Sequence, residues 1–116
     1  MSNEAGIKYD DNKPLVGTML DVFPHALMSI GALIKFGMSK YPSPDNWQRV
    51  ENAQIRYKDA LMRHLLKHCA GETIDPETKM YHLVSVCWNA LAILELYIRS
   101  KDETRNDKEN NANTRD

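Results

Sequence analysis

Leu83-Val-Ser-Val-Cys-Trp-Asn-Ala-Leu-Ala-Ile-Leu-Glu-Leu-Tyr-Ile98 is the stretch on which the fold turns, because only Ser85, Asn89 and Glu95 interrupt its apolar character. A surface helix confines its apolar residues to one stripe, whereas a helix that is apolar nearly all round must be covered on every side. Sixteen residues at the helical rise make about 24 Å, and the polar interruptions leave the run short of the ~20 apolar residues that cross a bilayer. The expected cover is therefore protein. Upstream, Asp75 is a candidate N-cap, Pro76 suits a first helical position and Glu77 suits the positive helix end. A helix is predicted over 76–99.

Two further helices precede it. Ile55, Met62, Leu66 and Cys69 lie on one stripe that Leu61 and Leu65 widen, and Gly71 stands where a C-terminal glycine cap belongs, predicting a helix over 49–70. Ala26, Leu27, Ile30, Leu33, Ile34 and Phe36 keep a 3.6-residue period between Pro24 and Gly37, predicting a helix over 24–38, with 15–23 leading into it. His25 falls in the first turn of that helix and reads as an exposed polar residue. The fold class expected is all-α, a small bundle of about three main helices. Residues 1–14 read as an extended arm, 15–99 as the helical domain, and 100–116, with one alanine and no larger apolar side chain, as a disordered charged tail. So few ordered residues cannot enclose an all-round apolar helix, which points to a homo-oligomer that completes the bundle.

A net charge of −1 and a pI of about 6.4 give no global basic field, which argues against long nucleic acid and leaves a small ligand. Cys69 and Cys87 have no paired spacing and no leader pattern opens the chain, so the reading is a cytoplasmic protein with free thiols packed as small hydrophobes and no membrane association.

Chemistry-bearing residues fall in four places. The arm carries Lys8 and Lys13 with Tyr9, Asp10 and Asp11, either a solvated leader or a strap over a phosphate. The loop 40–49 sets Tyr41 and Trp47 beside Lys40 and Arg49, aromatic rings and cations that suit a base and its phosphates, although Trp47 equally suits the end of a small core. On the second helix Arg56, Arg63 and Lys67 share a face, and His64 and His68 are i, i+4 neighbours at a spacing that can hold a metal or simply line a charged outer face. Glu72, Asp75 and Glu77 cluster ahead of the last helix, where His82, Ser85 and Asn89 draw one polar line along the apolar rod. A buried polar line needs partners, either on a neighbouring helix or in a ligand.

Lys8-Tyr9-Asp10-Asp11-x-Lys13-Pro14, Gly37-x-x-Lys40-Tyr41, Asp45-Asn46-Trp47, Arg56-Tyr57, Arg63-His64, Gly71-Glu72-x-x-Asp75-Pro76-Glu77, His82-Leu83 and Asn89-Ala90-Leu91 together resemble the phage-associated dATP/dGTP diphosphohydrolase N-terminal domain family. The resemblance runs from Ile7 to about Leu96. It implies an all-α protein of bacteriophage nucleotide metabolism that converts a purine deoxynucleoside triphosphate to monophosphate plus pyrophosphate. Ser85 departs from the pattern, standing where such proteins often carry a second histidine, and the chain has no Glu-x-x-Glu helix motif.

Two functions of different class follow. In the first, an enzyme, Lys8, Lys13, Lys40, Arg56 and Arg63 hold phosphates, Tyr41 or Trp47 stacks the purine, and Asn89 contributes from the last helix. Glu72, Asp75 or Glu77 then holds Mg²⁺, and His64 or His82 assists a water. In the second, the same basic and aromatic residues bind a nucleotide, such as a host signalling nucleotide, without hydrolysing it. A structural helical oligomer is the plain alternative to both.

Overall fold

A computed structural model describes residues 4–41 and 43–113; the first three residues of the arm, Pro42 of the loop and the last three residues of the tail lie outside the described residues. Four α-helices carry the chain, α1 (Val16–Val22), α2 (Pro24–Lys40), α3 (Ala53–Cys69) and α4 (His82–Asn113), with a 3-10 turn over Asn46–Arg49. The all-α expectation holds. Among the described residues extended pairing is limited to one antiparallel bridge, Ile74 with Tyr81.

α1 was not expected as a helix. It ends because Pro24 has no N–H to donate and disfavours helical geometry at Phe23 (φ −123°, ψ 48°), so the axis turns by 96° into α2. Gly71 does close α3 as its sequence suggests. At φ 99° it lets its own N–H reach His68 O (3.0 Å) and that of Glu72 reach Lys67 O (3.0 Å), the paired bonds of a Schellman cap.

The start of the last helix is a correction, since α4 begins at His82 and not at Pro76. The Asp75-Pro76-Glu77 signal is used by a single separate turn, in which Asp75 Oδ1 accepts the Glu77 N–H (3.0 Å) and Asp75 O accepts that of Lys79 (2.8 Å). Lys79, left-handed at φ 64°, stops that turn. Asp75 N–H to Met80 O (2.8 Å) and His82 N–H to Thr73 O (3.0 Å) then tie the loop shut. Asp75 is thereby fixed beside the first residue of α4.

At its far end α4 runs on to Asn113, through the segment expected to be disordered. Extending an existing helix needs no new nucleus. Local pairs also support it, Thr104 Oγ1 donating to Ser100 O (2.9 Å) and Arg105 facing Glu109 (3.8 Å). Side chains 101–110 are all exposed, as the composition requires. Deleting residues 101–116 is accordingly expected to leave the thermal midpoint within a degree or so of the full chain, an outcome a melting curve checks directly.

α3 and α4 form the principal packing pair. They run antiparallel: Gln54 Nε2 donates to Ile93 O (3.2 Å) near one end, and His64 meets His82 at the other. What lies between them is unusual in composition. The buried set among the described residues is apolar only at Val84 and Ala92, and otherwise consists of Asp75, His82, Ser85 and Asn89. Apolar side chains meanwhile face outward, including Leu20, Met28, Leu91 and Leu94, and both cysteines are exposed rather than packed inside the chain. The radius of gyration is 19.9 Å, against about 13 Å for a compact chain of this length. α4 contains a stretch long and apolar enough to cross a membrane by length and composition, of which 22% is buried within the chain.

Candidate functional site

Where α3, the 72–81 loop and α4 meet, four polar side chains converge. His82, with no exposed surface, places Nε2 2.8 Å from Glu72 Oε2. A carboxylate can only accept, so His82 Nε2 carries the hydrogen and, in the neutral ring, Nδ1 presents its lone pair. His64 Nδ1 lies 2.8 Å from that Nδ1, and Asp75 Oδ2 lies 4.0 Å from His64 Nδ1. Burial holds the His64 pKa below the ordinary histidine value; the Asp75 carboxylate opposes that shift, and His82, Arg63 and Lys67 reinforce it. The other carboxylate oxygen of Asp75 is fixed by the Glu77 N–H, so Oδ2 faces the imidazoles in a set orientation.

Two members of the cluster, His64 and Asp75, reach the floor of a cavity of about 990 Å³. His64, Asp75, Ser85 and Asn89 line it from below. Its wall carries three cations, Lys40, Arg56 and Arg63, and five aromatic rings, Phe36, Tyr41, Trp47, Tyr57 and Trp88. Three of the rings are held by one another: Trp88 meets Trp47 edge-on at 6.1 Å and Tyr57 at 5.4 Å, and the Tyr57 hydroxyl donates to Trp47 O (2.6 Å). Arg99 stands over the Trp47 ring (5.7 Å) and donates to Gln48 Oε1 (2.9 Å), bracing the 3-10 turn against α4. Glu77 also lines the cavity, in an ion pair with Lys40 that raises the lysine's pKa.

A pocket of this size suits a ligand as large as a nucleotide. A family model described as dATP/dGTP diphosphohydrolase, N-terminal, matches residues 3–106. The chain belongs to that family. No curated protein and no solved structure matches it. The family match takes in every residue of the cluster and of the cavity wall, so both features are built wholly within the diphosphohydrolase N-terminal domain.

Of the residues singled out from sequence, Lys40, Tyr41, Trp47, Arg56, Arg63, His64, Asp75, Glu77 and Asn89 line this one cavity. Glu72 and His82 stand behind its floor and act on it through His64. Lys8 and Lys13 lie in the exposed arm and do not line it. Arg49 is paired instead with Asp45 (3.2 Å) and Ser43 (2.8 Å). His64 and His68 do not act together as their spacing allowed: His64 turns to His82, and His68 Nδ1 is buried with no hydrogen-bond partner. The three carboxylates have three different partners, Glu72 with His82, Asp75 with the loop backbone and Glu77 with Lys40, and form no single oxygen cluster. Trp88 and Tyr57 were not assigned to the site. Trp88 sits in the apolar run and reads as core, and the only sequence signal for Tyr57 is its place beside Arg56.

Proposed function

We propose that this domain binds a purine deoxynucleoside triphosphate in the α3–α4 cavity and hydrolyses it to the monophosphate and pyrophosphate. The observation that carries this reading is the cavity itself, in which a basic and aromatic wall stands over His64 and Asp75, with buried His82 directly behind them. Arg56, Arg63 and Lys40 offer charge-assisted bonds to phosphate oxygens, Trp47 or Tyr41 offers a stacking face, and Ser85 and Asn89 offer polar contacts from α4. In the reaction a water oxygen bonds to the α-phosphorus, the α–β anhydride bond breaks, and pyrophosphate leaves with the bonding electron pair. One proton of the water passes to the His64 imidazole, whose positive charge the Asp75 carboxylate then stabilises, and the other stays on the oxygen now bonded to phosphorus. Mg²⁺ is expected to enter on the triphosphate, since it is commonly held by phosphate oxygens and one or two carboxylates, and Asp75 and Glu77 are the carboxylates that line the cavity.

The alternative is a non-catalytic nucleotide binder, which the separate engagement of Glu72, Asp75 and Glu77 favours over a ready-made magnesium cage. Incubating the protein with linear and cyclic nucleotides, with and without Mg²⁺, and separating the products distinguishes the two. Monophosphate plus pyrophosphate from dATP or dGTP supports hydrolysis, whereas intact nucleotide recovered from the protein supports sequestration. We place the protein in the cytoplasm as a homo-oligomer, without long nucleic acid or membrane as partner. α4 lies against a helix rich in Arg and Lys, which lipid would desolvate at high cost.

Arg63→Ala is expected to weaken nucleotide binding at least tenfold with the fold retained, because one charge-assisted contact contributes about 1.5–3 kcal/mol and 1.4 kcal/mol is a factor of ten. Trp47→Ala should weaken it as much and also lower the melting temperature, since its ring is braced on Trp88. Calorimetric titration of both variants tests this; wild-type affinity in both removes the ligand from the cavity.

A further inference from the structure

We propose that His64, Asp75 and His82 are three ligands of one divalent first-row transition-metal ion, of the Zn²⁺ or Mn²⁺ class, with Glu72 as the outer carboxylate that fixes the His82 ring. The inference deepens the cavity reading of function and rests on it for what the ion would do, though not for whether the ion binds.

Three independent features point to this site. One ring nitrogen each of His64 and His82 and a carboxylate oxygen of Asp75 all lie within 4.8 Å of one another, and two of the three residues are buried. Ligands at about 2.0–2.1 Å from a tetrahedral ion stand about 3.3 Å apart, so the 2.8 Å between the two nitrogens needs to open by only about half an ångström, and the 4.0 Å to Asp75 needs to close by less than one. The second feature is the partner of His82. A metal-bound histidine characteristically gives its other ring N–H to a carboxylate, which fixes the tautomer and aims the free lone pair at the ion. Here Glu72 takes that N–H at 2.8 Å and directs Nδ1 inward, at a ring with no exposed surface. The third is access: His64 and Asp75 line the cavity, so a three-ligand ion would keep open positions on the side where the ligand's phosphates are placed.

Ligand chemistry sets the class of ion. Two imidazole nitrogens and one carboxylate oxygen are a borderline donor set that suits zinc, manganese, iron or cobalt, whereas Mg²⁺ asks for oxygen ligands in near-octahedral array. When bound, such an ion would lower the pKa of a coordinated water toward neutrality and so would activate that water itself, in place of the imidazole and Asp75 lone pairs it would occupy. Without it the two nitrogens share a hydrogen in an N–H···N bond, which is the competing account of the 2.8 Å contact.

Titration of untagged, chelator-stripped protein with Co²⁺, followed by its ligand-field absorption and by competition with Zn²⁺, tests the assignment in the absence of nucleotide. One ion per chain is expected, with loss of the signal in His64→Ala and about 10- to 100-fold weaker binding in Glu72→Ala, whose exposed side chain can be removed without a core cavity. Absence of saturable Co²⁺ or Zn²⁺ binding to the wild type, or equal binding by both variants, overturns the site and leaves a proton-sharing histidine pair. Nucleotide binding measured on the same preparations in EDTA separates the two readings. Nucleotide bound without a metal site refutes the ion alone, and an ion bound without any nucleotide affinity refutes the function and leaves the site standing.

Discussion

Asp75→Asn is expected to lower kcat for dATP or dGTP hydrolysis by about 10²- to 10⁴-fold, the range associated with a positioned acid–base group, while nucleotide affinity stays within a few fold of wild type. The asymmetry follows from how the residue is held. Asparagine keeps an oxygen to accept the Glu77 N–H, so the single turn that sets the loop against α4 survives the change. What is lost is the negative charge beside His64 and the oxygen that faces the imidazoles. Removing that charge also removes a repulsion against the triphosphate, so binding should not suffer. Steady-state kinetics beside calorimetric binding on the same variant decide the matter. A fall in kcat smaller than tenfold would take Asp75 out of the chemistry, and a matching loss of affinity would show that it serves the ligand's placement instead.

The residues of the cavity were more legible than its floor. Lys40, Tyr41, Trp47, Arg56 and Arg63 declare themselves by type, because cations and aromatic rings gathered in a loop and on one helix face are conspicuous in a chain without net positive charge. The pairing of His64 with His82 was not readable from their separation, since it depends on α3 and α4 lying antiparallel and on the loop being closed by the Ile74–Tyr81 bridge. The nearer spacing, His64 with His68, drew attention because i, i+4 contact is the only geometry a sequence supplies directly. A similar substitution of local for tertiary logic put the start of α4 six residues early, at Pro76. The cap chemistry of Asp75 was read correctly, but it caps one isolated turn, and nothing local announces that Lys79 will go left-handed. The polar line His82, Ser85 and Asn89 is the instructive case. As a pattern it pointed somewhat more to helix register than to a ligand pocket; the structure buries all three, Asn89 satisfies one donor on Ser85 O within its own helix (2.7 Å), and Ser85 and Asn89 line the cavity, where a ligand can meet them.

Leu20→Glu combined with Met28→Glu is expected to convert an oligomer into a monomer, with association weakened by about four orders of magnitude. The two side chains stand at the corner of α1 and α2, 56% and 78% exposed in the single chain, and neither lines the α3–α4 cavity. Single exposed apolar residues need no explanation, but this corner is continuous: Leu15, Val16, Met19, Leu20, Val22 and Phe23 are all exposed, while only Val84 and Ala92 among the described apolar residues are buried. The homo-oligomer proposed above would place a second copy of the chain over this corner as well as over the apolar α4. Burying a Leu or Met side chain is worth about 1.5–3 kcal/mol, so two residues counted on both copies of a twofold interface contribute about 6 kcal/mol at the least, close to four decades in affinity before the cost of placing glutamates there. Light scattering on wild type and variant reads the outcome as mass, and nucleotide binding on the variant shows whether the cavity survives alone. A wild-type chain that is already a stable monomer at micromolar concentration, or a variant with unchanged mass, would remove the α1–α2 corner from any interface and leave the exposed apolar surface to be explained by a different partner.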